Sequence, residues 1–419
     1  MEPTMNALAL PISIRRLKTL LGAVALSAMA VACGGGGGGD GGGSTTSGVG
    51  TGGTGTYASG SISGFGSVIV NGVRFDDSSA SVSDDDGVSH NRGELKLGMV
   101  VGISGGALSD DAATGLPTGT ATTIQYLSEL KGTVGAVNVA GGTLQVLGQT
   151  VKVNTGTIFE GFANGLASVS TGNEIEVYAL YDAATATFVA TRIELKAGLT
   201  VYKLSGRVAS LNTSAQTFVL GGQLVRYSSM AASQLPALSN GLAVRVKLQP
   251  TQVSGAWVAT QIRNSAVSVP DLTEAELEGI VSDFVSLSNF KVNGVSVNAS
   301  GVGVAFKDGS AASVVNGQRV EVKGMTQAGV LVASRVEIES ESGGSGGSSV
   351  GAEIRLIGPI TAADQANSSF VLKGLTVRYS GTTQFNNGAA SSLAASVQVE
   401  VRGALSASGT EVVATRIKF

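Results

Sequence analysis

The sequence predicts an all-β protein made of tandem small barrels, five copies of one OB-like unit of five to six strands, behind a glycine-rich tether. Three observations carry this expectation. Apolar and polar residues alternate in short runs broken at glycine, as in Phe290-Lys291-Val292-Asn293-Gly294-Val295-Ser296-Val297, and a period of two marks a strand with one buried face. The pattern restarts at Gly60, Gly132, Gly206, Gly279 and Gly358, at offsets of 72, 74, 73 and 79 residues, which is the size of a domain rather than of a solenoid repeat. Finally, 61 of the 419 residues are glycine, an excess that supplies turns.

In chain order, Arg15, Arg16 and Lys18 precede an apolar run from Thr19 to Ala32 that ends at the only cysteine, Cys33. The run is shorter than the ~20 residues a membrane span requires, so residues 1–32 read as a secretory signal. Ala30-Val31-Ala32-Cys33 resembles the lipobox of bacterial lipoproteins, with alanine where leucine is usual. That resemblance implies cleavage before Cys33 and attachment of lipid, palmitate included, to it, and Gly34 resembles the outer-membrane sorting pattern. The expected address is the bacterial outer membrane, with the chain lipid-anchored and periplasmic or surface-exposed. Each acyl CH₂ adds about 0.8 kcal/mol of membrane affinity, so several chains hold permanently. Lipidation also leaves no thiol for disulfide or thiolate chemistry. Residues 33–59 hold almost nothing to bury and read as a disordered tether. The G-x-G-x-x-G match at Gly48 to Gly53 follows no strand and opens no helix, and is a low-complexity coincidence.

The units are expected at 60–129, 130–198, 202–264, 277–340 and 354–419, with linkers at 265–276 and 341–353. Each opens with a strand such as Gly132-Thr133-Val134-Gly135-Ala136-Val137. A hairpin follows, centred on Asn71-Gly72 and Asn293-Gly294 in copies one and four, where both turn residues need positive φ. Copies two, three and five keep only Gly148, Gly222 and Gly374. An irregular segment comes next, carrying Phe159, Phe306 or Phe385 in three copies, and reads as a loop or short helix. A strand of form G-x-x-V-x-V and a last strand of form A-[TS]-x-[IV], as in Ala333-Ser334-Arg335-Val336, close the unit. Three strands, an irregular connection and two strands is the OB order, and a sheet this small avoids exposed edges by closing. A β-sandwich is the competing arrangement. Residues 341–353 are a flexible Gly/Ser linker, whereas Pro270 and the acidic run Asp271 to Leu277 fit a helical turn. Copies two and three, joined by a few residues, are expected to pack together.

The lipobox, the tether, G-F-G-S-V-I-V-N-G-V-R-F in copy one and V-A-T-R-I-E in later copies resemble the bacterial family called domain of unknown function 5666, over essentially all of residues 60–419. The family has no assigned activity, so the resemblance implies tandem β units and transfers no site residues.

Charge excludes some functions. The chain has 27 basic and 30 acidic side chains, and without residues 1–32 the balance is 24 against 29. That offers no footprint for nucleic acid, and the few aromatics argue the same way. His90 is the only histidine, which rules out a multi-histidine metal cluster and leaves a solvated loop residue as the simplest reading. Asp84-Asp85-Asp86-Gly87 supplies hard oxygen donors, making Asp84, Asp85 and Asp86 calcium candidates, but without EF-hand spacing they read as turn residues. Arg192, Arg335 and Arg416 recur in the last strand, and Arg74, Arg226 and Arg378 in the hairpin. Together they are a candidate ligand face, although outward positions of an alternating strand must be polar in any case. Trp257 and the tyrosines read as cover for core and turns. No cofactor is expected. The predicted role is a non-enzymatic structural, adhesion or binding module, whose partners are the membrane through its lipid and an envelope polymer or another envelope protein. The alternative is a glycan- or envelope-polymer-binding protein using a repeated barrel face, and a more distant one is an enzyme of unknown type, since fold alone does not exclude chemistry.

Overall fold

The computed structural model describes residues 53–111, 115–265, 267, 269–339, 353–406 and 411–419. The signal segment, Cys33, the tether as far as residue 52 and the linker up to residue 352 lie outside the described residues.

Copy two shows the pattern common to all five. Strands Leu130–Asn138, Thr143–Val146 and Gln149–Lys152 form an antiparallel meander, and Glu174–Asp182 and Thr187–Lys196 an antiparallel pair. The third strand runs parallel to the fifth, and the fourth returns antiparallel to the first, so the order 1-2-3-5-4-1 closes a barrel. Copy one closes identically through Gly53–Phe65, Val68–Val70, Val73–Asp76, Val100–Gly105 and Leu116–Leu127. Copies three, four and five repeat the order from first strands Tyr202–Asn212, Leu272–Ser286 and Glu353–Asp364. Five-stranded barrels thus replace the sandwich alternative. The irregular segment holds a short strand parallel to the fifth in copies one, two, four and five, to which copy one adds Ser89–His90, and a single 3-10 turn in every copy, such as Gly165–Ser168. Each barrel buries a phenylalanine almost completely: Phe75, Phe188, Phe218, Phe290 and Phe370 are at most 2% exposed, and copy two also buries Phe159 and Phe162. Each such side chain contributes about 1.5–3 kcal/mol of burial.

The opening glycine and the hairpin turn are one device. Asn71 and Asn293 adopt φ of 51° and 49°, followed by Gly72 and Gly294 at 75° and 79°, the type I′ geometry that matches strand twist. Their side chains fold back over the first strand, Asn71 Nδ2 donating to Ser59 O at 3.0 Å and Asn293 Nδ2 to Glu278 O at 2.5 Å. A Cβ on Gly60 or Gly279 would lie 2.1 or 2.2 Å from the same asparagine's Oδ1. Leu147 and Lys373 hold the equivalent turn position in copies two and five, also at positive φ. The turn therefore survives the loss of asparagine because the opening glycine still makes room.

Two boundaries differ from expectation. The first strand of copy one begins at Gly53 rather than Gly60, inside the stretch read as tether. Residues 56–59 find partners on both sides, Val100–Gly105 of their own copy and the first strand of copy four, as in Tyr57↔Ser104 and Tyr57↔Ala275. Likewise the acidic run is strand from Leu272, not a helical turn. Ala275 and Leu277 point inward there, and tertiary pairing overrides the helix preference of the interleaved glutamates.

These pairings join copies. The first strand of copy one runs parallel to that of copy four over Gly53–Ser59 and to that of copy five at Gly64↔Arg355 and Phe65↔Leu356. Buried apolar residues of copies one and five form one cluster, joined by Ile158, Tyr178 and Leu180 of copy two and Ile280 of copy four; the rest of copies two and three form another, and the rest of copy four a third. Copies two and three also meet through Gln149 Nε2, which donates to Gly221 O at 2.7 Å. At Gly64 a Cβ would lie 2.1 Å from Arg355 O. Gly64→Ala is therefore expected to cost about 1–3 kcal/mol in urea unfolding. Gly135→Ala, where an added methyl meets nothing within 4 Å, should stay within ~0.5 kcal/mol. Equal stability of the two variants would refute the close seam between copies one and five.

Candidate functional site

The six arginines do not assemble into one face. Arg74 lies 3.7 Å from Asp111, Arg378 makes a two-pronged pair with Glu411 at 2.6 and 2.8 Å, and Arg335 pairs with Glu337. Arg226 is half-buried and Arg416 is exposed opposite Arg402. Arg192 differs from the rest in being buried, with 4% exposure. Its Nε donates to Glu194 at 2.5 Å, Nη1 to Leu97 O at 3.0 Å, and Nη2 to Glu160. Because Leu97 belongs to copy one, Arg192 ties copies one and two together. Lys96 of copy one reaches Glu160 at 2.6 Å from the other side. Burial opposes the charge of Glu194, but Arg192 and Lys196 outweigh it and hold the carboxyl below its ordinary range.

The aspartates of the copy-one insert diverge. Asp84 Oδ1 caps its own turn, accepting from the amides of Asp86 at 3.0 Å and Val88 at 2.9 Å. Asp85 pairs with Lys203 of copy three, whose Nζ also donates to Ser128 at 3.3 Å, and Asp86 lies 2.5 Å from Lys247. Asp85 and Lys203 side chains are only 9% and 8% exposed. Burial pushes the Asp85 carboxyl up against the pull of Lys203. With each carboxylate taken separately, the calcium reading loses its geometry. Among the described residues no group of three His, Cys, Asp or Glu side chains is placed to hold a metal ion. His90 is not a solvated loop residue either. Its Nδ1 meets Glu94 at 2.8 Å, Nε2 is buried 3.5 Å from Asp84, and its ring lies 5.1 Å from that of Tyr126.

These contacts surround a cavity of about 440 Å³ walled by copies one, two and three. Its aromatic wall is His90, Tyr126 and Tyr178, with the two tyrosine rings 6.4 Å apart. Burial, then the charges of Asp84 and Glu176, raises the Tyr126 hydroxyl; burial, then Glu176 and Glu194, raises that of Tyr178. Both are therefore neutral hydrogen-bond donors at physiological pH. Lys196 bridges Glu176 at 3.1 Å and Glu194 at 2.6 Å. A second cavity of about 260 Å³ lies across the Asp85–Lys203 pair, reached by Tyr57 and Arg245. The tyrosines do cover core, Tyr178 at 2% exposure and Tyr126 packed against the same cluster, but that core spans two barrels, which the sequence reading did not see. Tyr178 follows the inward Val177 and so occupies an outward position, and a large aromatic on the outward face of an alternating strand is the signal of a contact beyond its own barrel.

Fold and cleft together define a class: a tandem OB-like barrel protein whose copies are locked into one body around a composite polar cleft. The family model described as "Domain of unknown function (DUF5666)" matches residues 131–194, 205–263, 278–337 and 357–418, and the chain belongs to that family. Copy one lies outside the matched segments yet closes its barrel in the same order. No curated protein matches the chain. A solved structure titled "drosophila Unr CSD456" is 14% identical and covers 41% of this chain and 79% of its own, at a TM-score of 0.14, too low to argue from.

Removing one member of a buried pair strands the other. Lys203→Met is expected to destabilise the chain by about 3–5 kcal/mol, with much of that recovered in the Asp85→Asn/Lys203→Met double variant. Additive losses in the double-mutant cycle would show that the pair is not buried as described. Glu194 has a defined pH signature. Its folded-state pKa is depressed, so its contribution is full above the unfolded value of about 4.3 and is lost as pH falls through the folded value. Glu194→Gln should therefore melt below wild type at pH 7, with the gap closing as the pH drops below ~4.

Proposed function

We propose that this chain is a lipid-anchored protein of the bacterial outer membrane whose five barrels act as one non-catalytic binding and structural module. Lipid on Cys33 would hold the module through its Gly/Ser/Thr-rich segment. The observation that favours this reading most is the way the copies are joined. First strands of copies one, four and five pair directly, the buried Asp85–Lys203 pair links copies one and three, and the buried Arg192 links copy two to copy one by donating to Leu97 O. Such seams suit a body that presents a composite surface rather than separate modules on a string. The groups with most chemical potential are already engaged by the chain itself: Asp85, Asp86 and Arg192 across the seams, Asp84 and His90 within copy one, and Glu194 with Arg192. That engagement favours a binding role over an enzymatic one. Presentation of one ligand face by every barrel is less well supported, since the recurring arginines are held by different carboxylates in different copies.

The anchor is tested by labelling expressing cells with radioactive palmitate. Wild type should carry label and fractionate with membranes. Cys33→Ala should lose the label and move to the soluble fraction with an unchanged melting temperature, and label persisting in Cys33→Ala would sink the anchor.

A further inference from the structure

We infer that the cleft between copies one, two and three binds an uncharged saccharide, seated against Tyr126 and hydrogen-bonded by the surrounding lysines and carboxylates. This rests on the binding-module reading and names its ligand class. The volume of about 440 Å³ falls within the roughly 300–1,000 Å³ of small-molecule sites. Six carboxylates and five lysines line the cavity, and the pairs they form are internal: Lys196 with Glu176 and Glu194, Lys203 with Asp85, Lys247 with Asp86. An anion or cation would have to displace a partner and leave a charge uncompensated, which is costly where the pair is buried, as Asp85 and Lys203 are. A neutral, hydroxyl-rich ligand escapes that penalty. Each ammonium has three donors and each carboxylate about four acceptor positions, so a pair joined by one or two hydrogen bonds keeps capacity for hydroxyl groups.

The aromatic wall supplies the rest. Tyr126 is half-buried, its ring flanked by His90 at 5.1 Å and Tyr178 at 6.4 Å. An immobilised ring of this kind offers an apolar face to the C–H side of a sugar at low entropic cost. Facing the same cleft, His90 Nε2 is buried without a hydrogen-bond partner. Buried polar atoms are normally satisfied, so a ligand rich in donors and acceptors completes what the protein leaves open. Charged positions around an aromatic shelf, contributed by three copies, also explain why no single copy shows the site.

The test is calorimetric titration of the full chain in detergent with neutral trisaccharides (maltotriose, cellotriose and chitotriose), alongside trigalacturonate as the anionic probe. At least one neutral probe should bind in the ~0.1–10 mM range, with affinity unchanged between low and high salt because no ligand charge is screened. Tyr126→Ala should weaken it by roughly tenfold or more, and Tyr126→Phe, which keeps the ring and guards against a folding defect, should retain most of it. The inference is overturned by silence from every neutral probe to about 10 mM, by binding of trigalacturonate alone, or by unaltered affinity in a folded Tyr126→Ala. Since palmitate labelling of Cys33 does not depend on this cleft, loss of the saccharide result leaves the anchored module standing, and loss of the anchor leaves the saccharide result standing.

Discussion

The first strand of copy one, Gly53–Phe65, must satisfy two edges at once, and the arrangement of the copies follows from how it does so. Its own barrel uses one edge over residues 56–61, through the strand Val100–Gly105. The other edge over residues 53–59 would be a bare row of amide and carbonyl groups, a costly feature if buried and an aggregation template if exposed. The first strand of copy four takes that row, and the first strand of copy five takes its end at Gly64 and Phe65. Main-chain pairing fixes register as well as proximity, so copies four and five are oriented by it. Glycine at position 64 is part of the same constraint, because no side chain fits against Arg355 O.

Copies two and three are attached to copy one by different physics. A closed barrel keeps its apolar residues inside and presents the polar half of each strand outward, so barrels packed side by side bury polar groups. Burying charge is costly unless it is paired and hydrogen-bonded. Between copies one and two, Ile158, Tyr178 and Leu180 join the apolar cluster of copy one, and beside them Arg192, neutralised by Glu160 and Glu194 of its own copy, donates to Leu97 O; between copies one and three the seam is Lys203 with Asp85 and Lys247 with Asp86. Such pairs contribute less net stability than an apolar contact of the same area, but they penalise every misplacement. The same layout leaves a cleft lined by polar groups where three barrels meet. It also gives the insert of copy one its purpose: the turn Asp84 to Gly87 projects its acids onto the lysines of copy three.

Much of the barrel was legible from residue order. Alternation placed the strands, Asn-Gly and its glycine-only variants placed the hairpins, and the recurring last strand separated five copies, because each signal depends on neighbours within one or two residues. Two boundaries were not legible. Residues 53–59 are poor in side chains to bury and look like tether, and Asp271 to Leu277 look helical. Both become strands only because a partner strand is present. At the cleft, His90 and Asp84 to Asp86 were visible as chemistry-bearing residues but read as solvated. The recurring arginines were visible too, yet Arg192 alone among them is buried, for the reason that its strand faces another copy.

By itself, then, the sequence determined the fold of each copy, the number of copies and the place of the single lipidation candidate, Cys33, since these rest on local periodicity, turn chemistry and motif spacing. Only the tertiary structure decided which outward residues are surface and which are seam. Asp85 and Lys203 stand 118 positions apart, and Tyr126 and Tyr178 belong to different barrels. A polar residue on the outer face of a strand has the same local pattern whether water or another barrel lies opposite it, and that choice is made by docking geometry.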